Sequence, residues 1–209
     1  SLVGSEMCIR DRGYALRNLK MEAALTGDNQ AYGLFGVLKG ATVKNLVLGA
    51  ENGDTGSFKV SGNGVTSTGV IAGASVESTI EECTSYLPME CLGNGASNKL
   101  MTMGLVGFVY GAGTSDETVT KLIGLKNYGA MKAVPGAASA NGFTSTQAGC
   151  IAGVSNTSRT STFRNLITRC ANYGDMTVST GRASGIVAAA NTFTVVSECE
   201  NHGDMLNTY

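Results

Sequence analysis

Apolar and polar positions alternate along this chain in short runs, not in helical stripes. Ala41-Thr42-Val43-Lys44-Asn45-Leu46-Val47-Leu48 and Ser161-Thr162-Phe163-Arg164-Asn165-Leu166-Ile167 are β-prone runs, and clusters of Gly, Asn, Asp and Ser separate such runs. A helical period is suggested only between Tyr14 and Leu25. Even there Asn18-Leu19 repeats the pairs Asn45-Leu46 and Asn165-Leu166, so the segment reads as the last strand of a coil cut by truncation.

The runs recur in phrases. Gly33-Leu34-Phe35-Gly36, Gly69-Val70-Ile71-Ala72, Gly104-Leu105-Val106-Gly107, Gly149-Cys150-Ile151-Ala152 and Gly185-Ile186-Val187-Ala188 follow one another at intervals of 36, 35, 45 and 36 residues. A second phrase, with Leu or Cys leading to Asn-x-Gly and Met, reads Leu125-Lys126-Asn127-Tyr128-Gly129-Ala130-Met131, Cys170-Ala171-Asn172-Tyr173-Gly174-Asp175-Met176 and Cys199-Glu200-Asn201-His202-Gly203-Asp204-Met205. A fixed period of this length means an array, in which each unit buries its apolar face only against its neighbours. The expected fold is all-β: a parallel β-helix, or β-solenoid, right-handed and of about five units. An antiparallel sandwich is the competitor, disfavoured because identical phrases at a fixed period call for identical places in successive rungs. Leu34, Phe35, Val70, Ile71, Leu105, Val106, Ile151, Ile186 and Val187 are then expected at equivalent strand positions, one of each adjacent pair pointing inward. The longer third interval predicts a loop within Ala133 to Gln147, where Pro135, Gly136 and Ser139 punctuate the chain.

Gly33-Leu34-Phe35-Gly36 and Gly104-Leu105-Val106-Gly107 resemble the GLUG motif, Gly-Leu-apolar-Gly, and the other three copies depart from it at the second position or the final Gly. The motif occurs in repeats of bacterial surface and secreted proteins, some adhesin-like and some joined to peptidases. The resemblance implies a cell-surface or extracellular repeat module; it carries over no catalytic residue. At the other end of the scale, Ser1 to Arg12 resembles the translation of a transposon-end sequencing adapter, so residues 1–12 are set aside as a non-native tag. The repeat domain is then 13–209, expected to be cut within the array at both ends and therefore to self-associate end to end or fray in its outer rungs.

Composition narrows the function. The chain has 15 basic and 16 acidic residues among 209, so no field draws in nucleic acid or an anionic membrane. Glycine, at 29 residues, is about twice its usual share, while proline appears twice. Turns explain that balance better than disorder. No apolar run approaches the roughly 20 residues of a spanning helix, so no transmembrane segment is expected.

Stacked rungs would set Asn127, Asn172 and Asn201 above one another as a structural asparagine ladder, each amide bonded to the next. Asp175 and Asp204, with Asp54 in the looser Asn52-Gly53-Asp54, offer a row of oxygens to calcium, but one carboxylate per rung, interrupted at Ala130, is thin supply for an ion that takes six to eight oxygens. Tyr128, Tyr173 and His202 occupy the variable position of the turn and form a candidate aromatic row for a glycan or a surface protein. Among the cysteines outside the tag, Cys83, Cys170 and Cys199 fall on comparable repeat positions as core fillers, Cys91 and Cys150 elsewhere; a Cys170–Cys199 disulfide stays open, and no zinc spacing occurs. The rival to a noncatalytic structural or adhesive module is a glycan-active β-helix enzyme, either a polysaccharide lyase or a glycosidase. Its acids would have to come from Glu77, Glu81 and Glu82 or from Asp116 and Glu117, clusters that a solvated face explains more simply.

Overall fold

The computed structural model describes residues 15–25, 27–62, 65–93, 101–134, 146–158, 162–179, 181–191 and 193–207. Across these the chain is all-β, with parallel pairing throughout and a single 3-10 turn at Asp116–Thr118. The strands fall into four sheets that the chain visits in a fixed rotation, an arrangement compatible with a β-solenoid. Sheet 1 stacks Ala15–Leu16, Val47–Leu48, Thr84–Ser85, Lys126–Asn127, Ala171–Asn172 and Glu200–Asn201. Sheet 2 stacks Lys20–Leu25, Ser57–Gly62, Met89–Gly93, Met131–Val134, Met176–Val178 and Met205–Asn207. Sheet 3 holds the longest strands, Thr66–Val76 and Met101–Gly111, flanked by shorter pieces, and sheet 4 runs from Thr42–Lys44 to Thr194–Ser197. One rung is one strand in each sheet, save that in sheet 3 a rung can be split into two consecutive strands.

Ala15, Val47, Thr84, Lys126, Ala171 and Glu200 share one column of sheet 1, at intervals of 32, 37, 42, 45 and 29 residues. The period is thus looser than the glycine phrases alone indicate, because loops of different length leave the corners while the strands keep register. The ends of the expected insertion, Ala133 to Gln147, are strand. Ala133 lies in the strand Met131–Val134 and Gln147 in Thr146–Gly149, and 135–145 between them lie outside the described residues. Asn18-Leu19 is not equivalent to the other two Asn-Leu pairs: it sits between sheets 1 and 2, Asn45-Leu46 between sheets 4 and 1, and Asn165-Leu166 within sheet 4. Asn18 and Asn45 share a left-handed backbone, at φ 53° and 56°, which short polar side chains tolerate, and this common turn chemistry accounts for the similarity.

The inward column of sheet 2 is apolar along its described length. Met21, Phe58, Met89, Met131 and Met176 stack in sheet 2 and are all buried. Outside the same sheet, Glu22, Lys59, Glu90 and Lys132 alternate in sign up one column, with Lys132 Nζ 3.3 Å from the Glu90 carboxylate. A slip of one rung would set like charges together, so this column helps fix register.

The glycine phrases lie in sheet 3, where the structure corrects their alignment. Gly69 faces Gly104, but beyond them Val106 faces Ala72, because Thr66–Val76 carries one extra residue as a bulge. The rung of Thr146–Gly149 and Ala152–Thr157 has the same extra residue. Two glycine columns result. One holds Gly33, Gly69, Gly104 and Gly149; the other holds Gly36, Gly73, Gly107 and Gly153. Rungs one and three read Gly-x-x-Gly, whereas rungs two and four read Gly-x-x-x-Gly. In the fifth rung Ser184 faces Gly149, so Gly185 is out of the column by one residue. The columns need glycine because backbones of adjacent rungs touch there: a Cβ on Gly104 would lie 2.6 Å from the Gly149 carbonyl oxygen, and one on Gly153 2.6 Å from that of Gly107. The bulge also overturns the expectation of one inward residue per pair. Val70 and Ile71 are both fully buried, as are Leu105 and Val106 in the facing strand, because strict alternation is lost where the register between the two strands shifts.

Candidate functional site

The Asn-x-Gly turn connects sheet 1 to sheet 2, and its three residues have three separate jobs. Asn ends the sheet 1 strand and points inward, so Asn127 and Asn172 are fully buried. Each amide nitrogen bonds the glycine carbonyl of its own turn, at 2.9 Å for Asn127 to Gly129, 2.8 Å for Asn172 to Gly174 and 2.9 Å for Asn201 to Gly203. The same nitrogen donates to the next amide oxygen, from Asn127 to Asn172 and from Asn172 to Asn201, both at 2.7 Å. The three asparagines therefore form the ladder the sequence suggests. Gly follows because the turns stack directly: a Cβ on Gly174 would meet the Gly129 carbonyl carbon at 2.6 Å.

The ladder begins at an imperfect joint. Below Asn127 the column holds Ser85, whose hydroxyl accepts the Leu87 N–H at 3.2 Å, and Asn127 Oδ1 is buried with no hydrogen-bond partner. Ser85-Tyr86-Leu87 is the same turn with Asn and Gly replaced. Below it, Leu48 and Leu16 continue the column in apolar form.

The middle residue of each turn points outward. Tyr128 and Tyr173 stack with ring centroids 4.7 Å apart and planes 7° from parallel, and Tyr173 and His202 stack at 4.9 Å and 4°. The row has a fourth member that the Asn-x-Gly phrase hides, Tyr86, 4.8 Å from Tyr128 at 13°. The separations match the strand spacing of about 4.8 Å, so the backbone sets the stack. Burial between its neighbours raises the Tyr128 phenol above its ordinary pKa, and the adjoining Tyr173 and Tyr86 add to the shift. His202 Nε2 lies 2.8 Å from the Glu200 carboxylate. Because Tyr128 and Tyr173 each spend both ring faces on neighbours, whatever meets the row from solvent meets ring edges and hydroxyls.

Comparison with protein-family models, with curated proteins and with solved structures found no match. Asp175 Oδ1 accepts the Asp204 N–H at 2.9 Å, and Asp54 accepts Asn18 N–H at 3.1 Å and Gly56 N–H at 2.6 Å. Asp54 and Asp175 thus serve as backbone acceptors at the corner between sheets 1 and 2, and Asp54 lies in a longer loop there than the three-residue turns of Asp175 and Asp204. Among the described residues no three His, Cys, Asp or Glu side chains converge as a metal site.

Four of the five clustered acids have a partner. Glu81 pairs with Lys44 at 2.7 Å, Glu82 lies 4.0 Å from Arg169, Asp116 pairs with Lys121 at 2.6 Å, and Glu117 accepts the Ser115 hydroxyl at 2.8 Å. Cys83, Cys91, Cys150, Cys170 and Cys199 are free thiols. Burial pushes Cys83 up to about 11 and Cys91 and Cys150 up to about 12, which leaves them unreactive fillers at neutral pH. Cys83, Cys170 and Cys199 share the column just before sheet 1, as the repeat predicts.

Proposed function

We propose that the chain is a β-solenoid module, coiled in the right-handed sense, of a bacterial cell-surface or secreted protein of the GLUG-repeat kind, and that it acts as a noncatalytic structural or adhesive element. The right-handed sense rests on the general preference of parallel crossover connections. The observation that carries the functional reading is the turn column between sheets 1 and 2. There one phrase simultaneously builds an amide ladder and three rings of an outward stack that Tyr86 extends to four, so its residues are committed to holding rungs in register. A partner, whether glycan or surface protein, would read the side of that stack as a regular row of phenol edges. Among the described residues no helix is long and apolar enough to cross a membrane.

The second reading, a glycan-active β-helix enzyme, draws on the acids of Glu77, Glu81, Glu82, Asp116 and Glu117. Paired acid and base work needs two carboxyl groups about 5 to 9.5 Å apart across a cleft, and the ion pairs of Glu81 and Asp116 give those carboxylates another role. A glycan array, run beside digestion of a polysaccharide panel, separates the two. The proposal expects binding or inertness without new reducing ends. Release of reducing ends by the purified chain would replace it with the enzyme.

A further inference from the structure

We propose that Cys170 and Cys199 form a two-thiolate site for a soft monovalent cation of the copper(I) or silver(I) class, bridged between two successive rungs. Thr168 faces Ser197 and Ala171 faces Glu200, so residues 170 and 199 hold the same position in the corner between sheets 4 and 1 of adjacent rungs. Their thiols also hold matching orientations. Cys170 Sγ points to the carbonyls of Thr168 at 3.4 Å and Leu122 at 3.7 Å; Cys199 Sγ points to those of Ser197 at 3.2 Å and Ile167 at 3.6 Å. Cys170 is buried and Cys199 partly exposed, which gives an ion a way in. In the same column Leu125 separates Cys83 from the pair.

Matched side chains one rung apart keep their Cβ atoms near the strand spacing of about 4.8 Å. A disulfide wants them at about 3.5 to 4.5 Å, and closing that gap would pull against the Asn172–Asn201 bond, only two residues along the chain. Two collinear metal–sulfur bonds of about 2.3 Å, the length of a zinc–thiolate bond, span the spacing as it stands. Thiolates select soft ions, and with two ligands instead of four the site suits a cation content with two-coordinate geometry. Binding exchanges two S–H bonds for two metal–sulfur bonds. Both protons pass to solvent, the metal keeps its oxidation state, and the bridged site carries one net negative charge.

The test uses reduced chain carrying Cys8→Ser, since Cys8 lies outside the described residues. It is loaded with silver(I), dialysed against a monothiol, and assayed for metal per chain and for sulfur neighbours by X-ray absorption. The expected result is one ion per chain with two sulfur neighbours, retention at least tenfold lower in Cys170→Ser and in Cys199→Ser, and no change in Cys83→Ser. Should Cys170→Ser fail to fold by circular dichroism, Cys199→Ala at the partly exposed position carries the test. Retention indifferent to both positions would overturn the proposal. So would a Cys170–Cys199 disulfide forming under mild oxidation in a chain that retains no metal.

Discussion

A single column of sheet 1 is built in two chemistries. Its lower part is Leu16 and Leu48, its upper part Asn127, Asn172 and Asn201, and Ser85 lies between. Leu48 and Asn127 are equally buried, yet they depend on their neighbours differently. Leu48 needs only to be kept from water. Asn127 needs a particular partner in the next rung, and its own oxygen, facing Ser85, lacks one. The turns differ too: every Asn leads to a corner of three residues, whereas the two leucines lead to corners of unequal length, residues 17–19 after Leu16 and Gly49 to Gly56 after Leu48. The apolar part tolerates variation in the loop it leads to. The amide part ties side chain, turn and register into one unit, and a buried polar network of this type is strong only when complete.

The largest effect should come from carrying amide chemistry into the apolar part. Leu48→Asn removes a fully buried side chain and places an amide where neither Leu16 nor Ser85 continues a ladder, so a loss of about 4 kcal/mol is expected in urea unfolding. Next comes Asn172→Ala, which strips Asn127 of its acceptor, Asn201 of its donor and the Gly174 carbonyl of its bond. About 3 kcal/mol should be lost, and Asn201→Ala, at an exposed rung, should cost clearly less.

The ring row should contribute less, because it is half in solvent. Tyr173→Ala breaks two stacks and is expected to cost about 2 kcal/mol, whereas Tyr86→Ala breaks one contact of the row and should cost about half as much. If the two variants were equal, the row would not be a stack of coupled rings. The smallest change is a gain. Ser85→Asn gives the orphaned Asn127 oxygen a donor and should stabilise the chain by about 1 kcal/mol; a neutral or destabilising outcome would show that the joint at Leu87 cannot accept the Asn turn.

Much of this column was legible in the sequence because Asn-x-Gly names both partners of its own hydrogen bond, and three copies give the stacking. Tyr86 was missed for the complementary reason: Ser85 and Leu87 erase the phrase around it. The signal that survives is Cys83 three residues before and Met89 three residues after, the offsets at which Cys170 and Met176 flank Tyr173. In sheet 3 a four-residue phrase could not reveal a one-residue bulge. The second glycine, recovered one position later at Gly73 and Gly153, was the available clue that rungs two and four carry an extra residue. The alternating column from Glu22 to Lys132 left no mark at all, since loops of unequal length separate its members and only pairing brings them together.

The central claim is that the Asn-x-Gly turns stack in register, and nuclear Overhauser contacts between side-chain amides test it most directly. The account predicts contacts linking Asn127 to Asn172, 45 residues away, and Asn172 to Asn201, 29 residues away, with ring contacts from Tyr128 to Tyr173 beside them. Amide protons of Asn172 that contact neither Asn127 nor Asn201, in a chain that is otherwise folded, would contradict it.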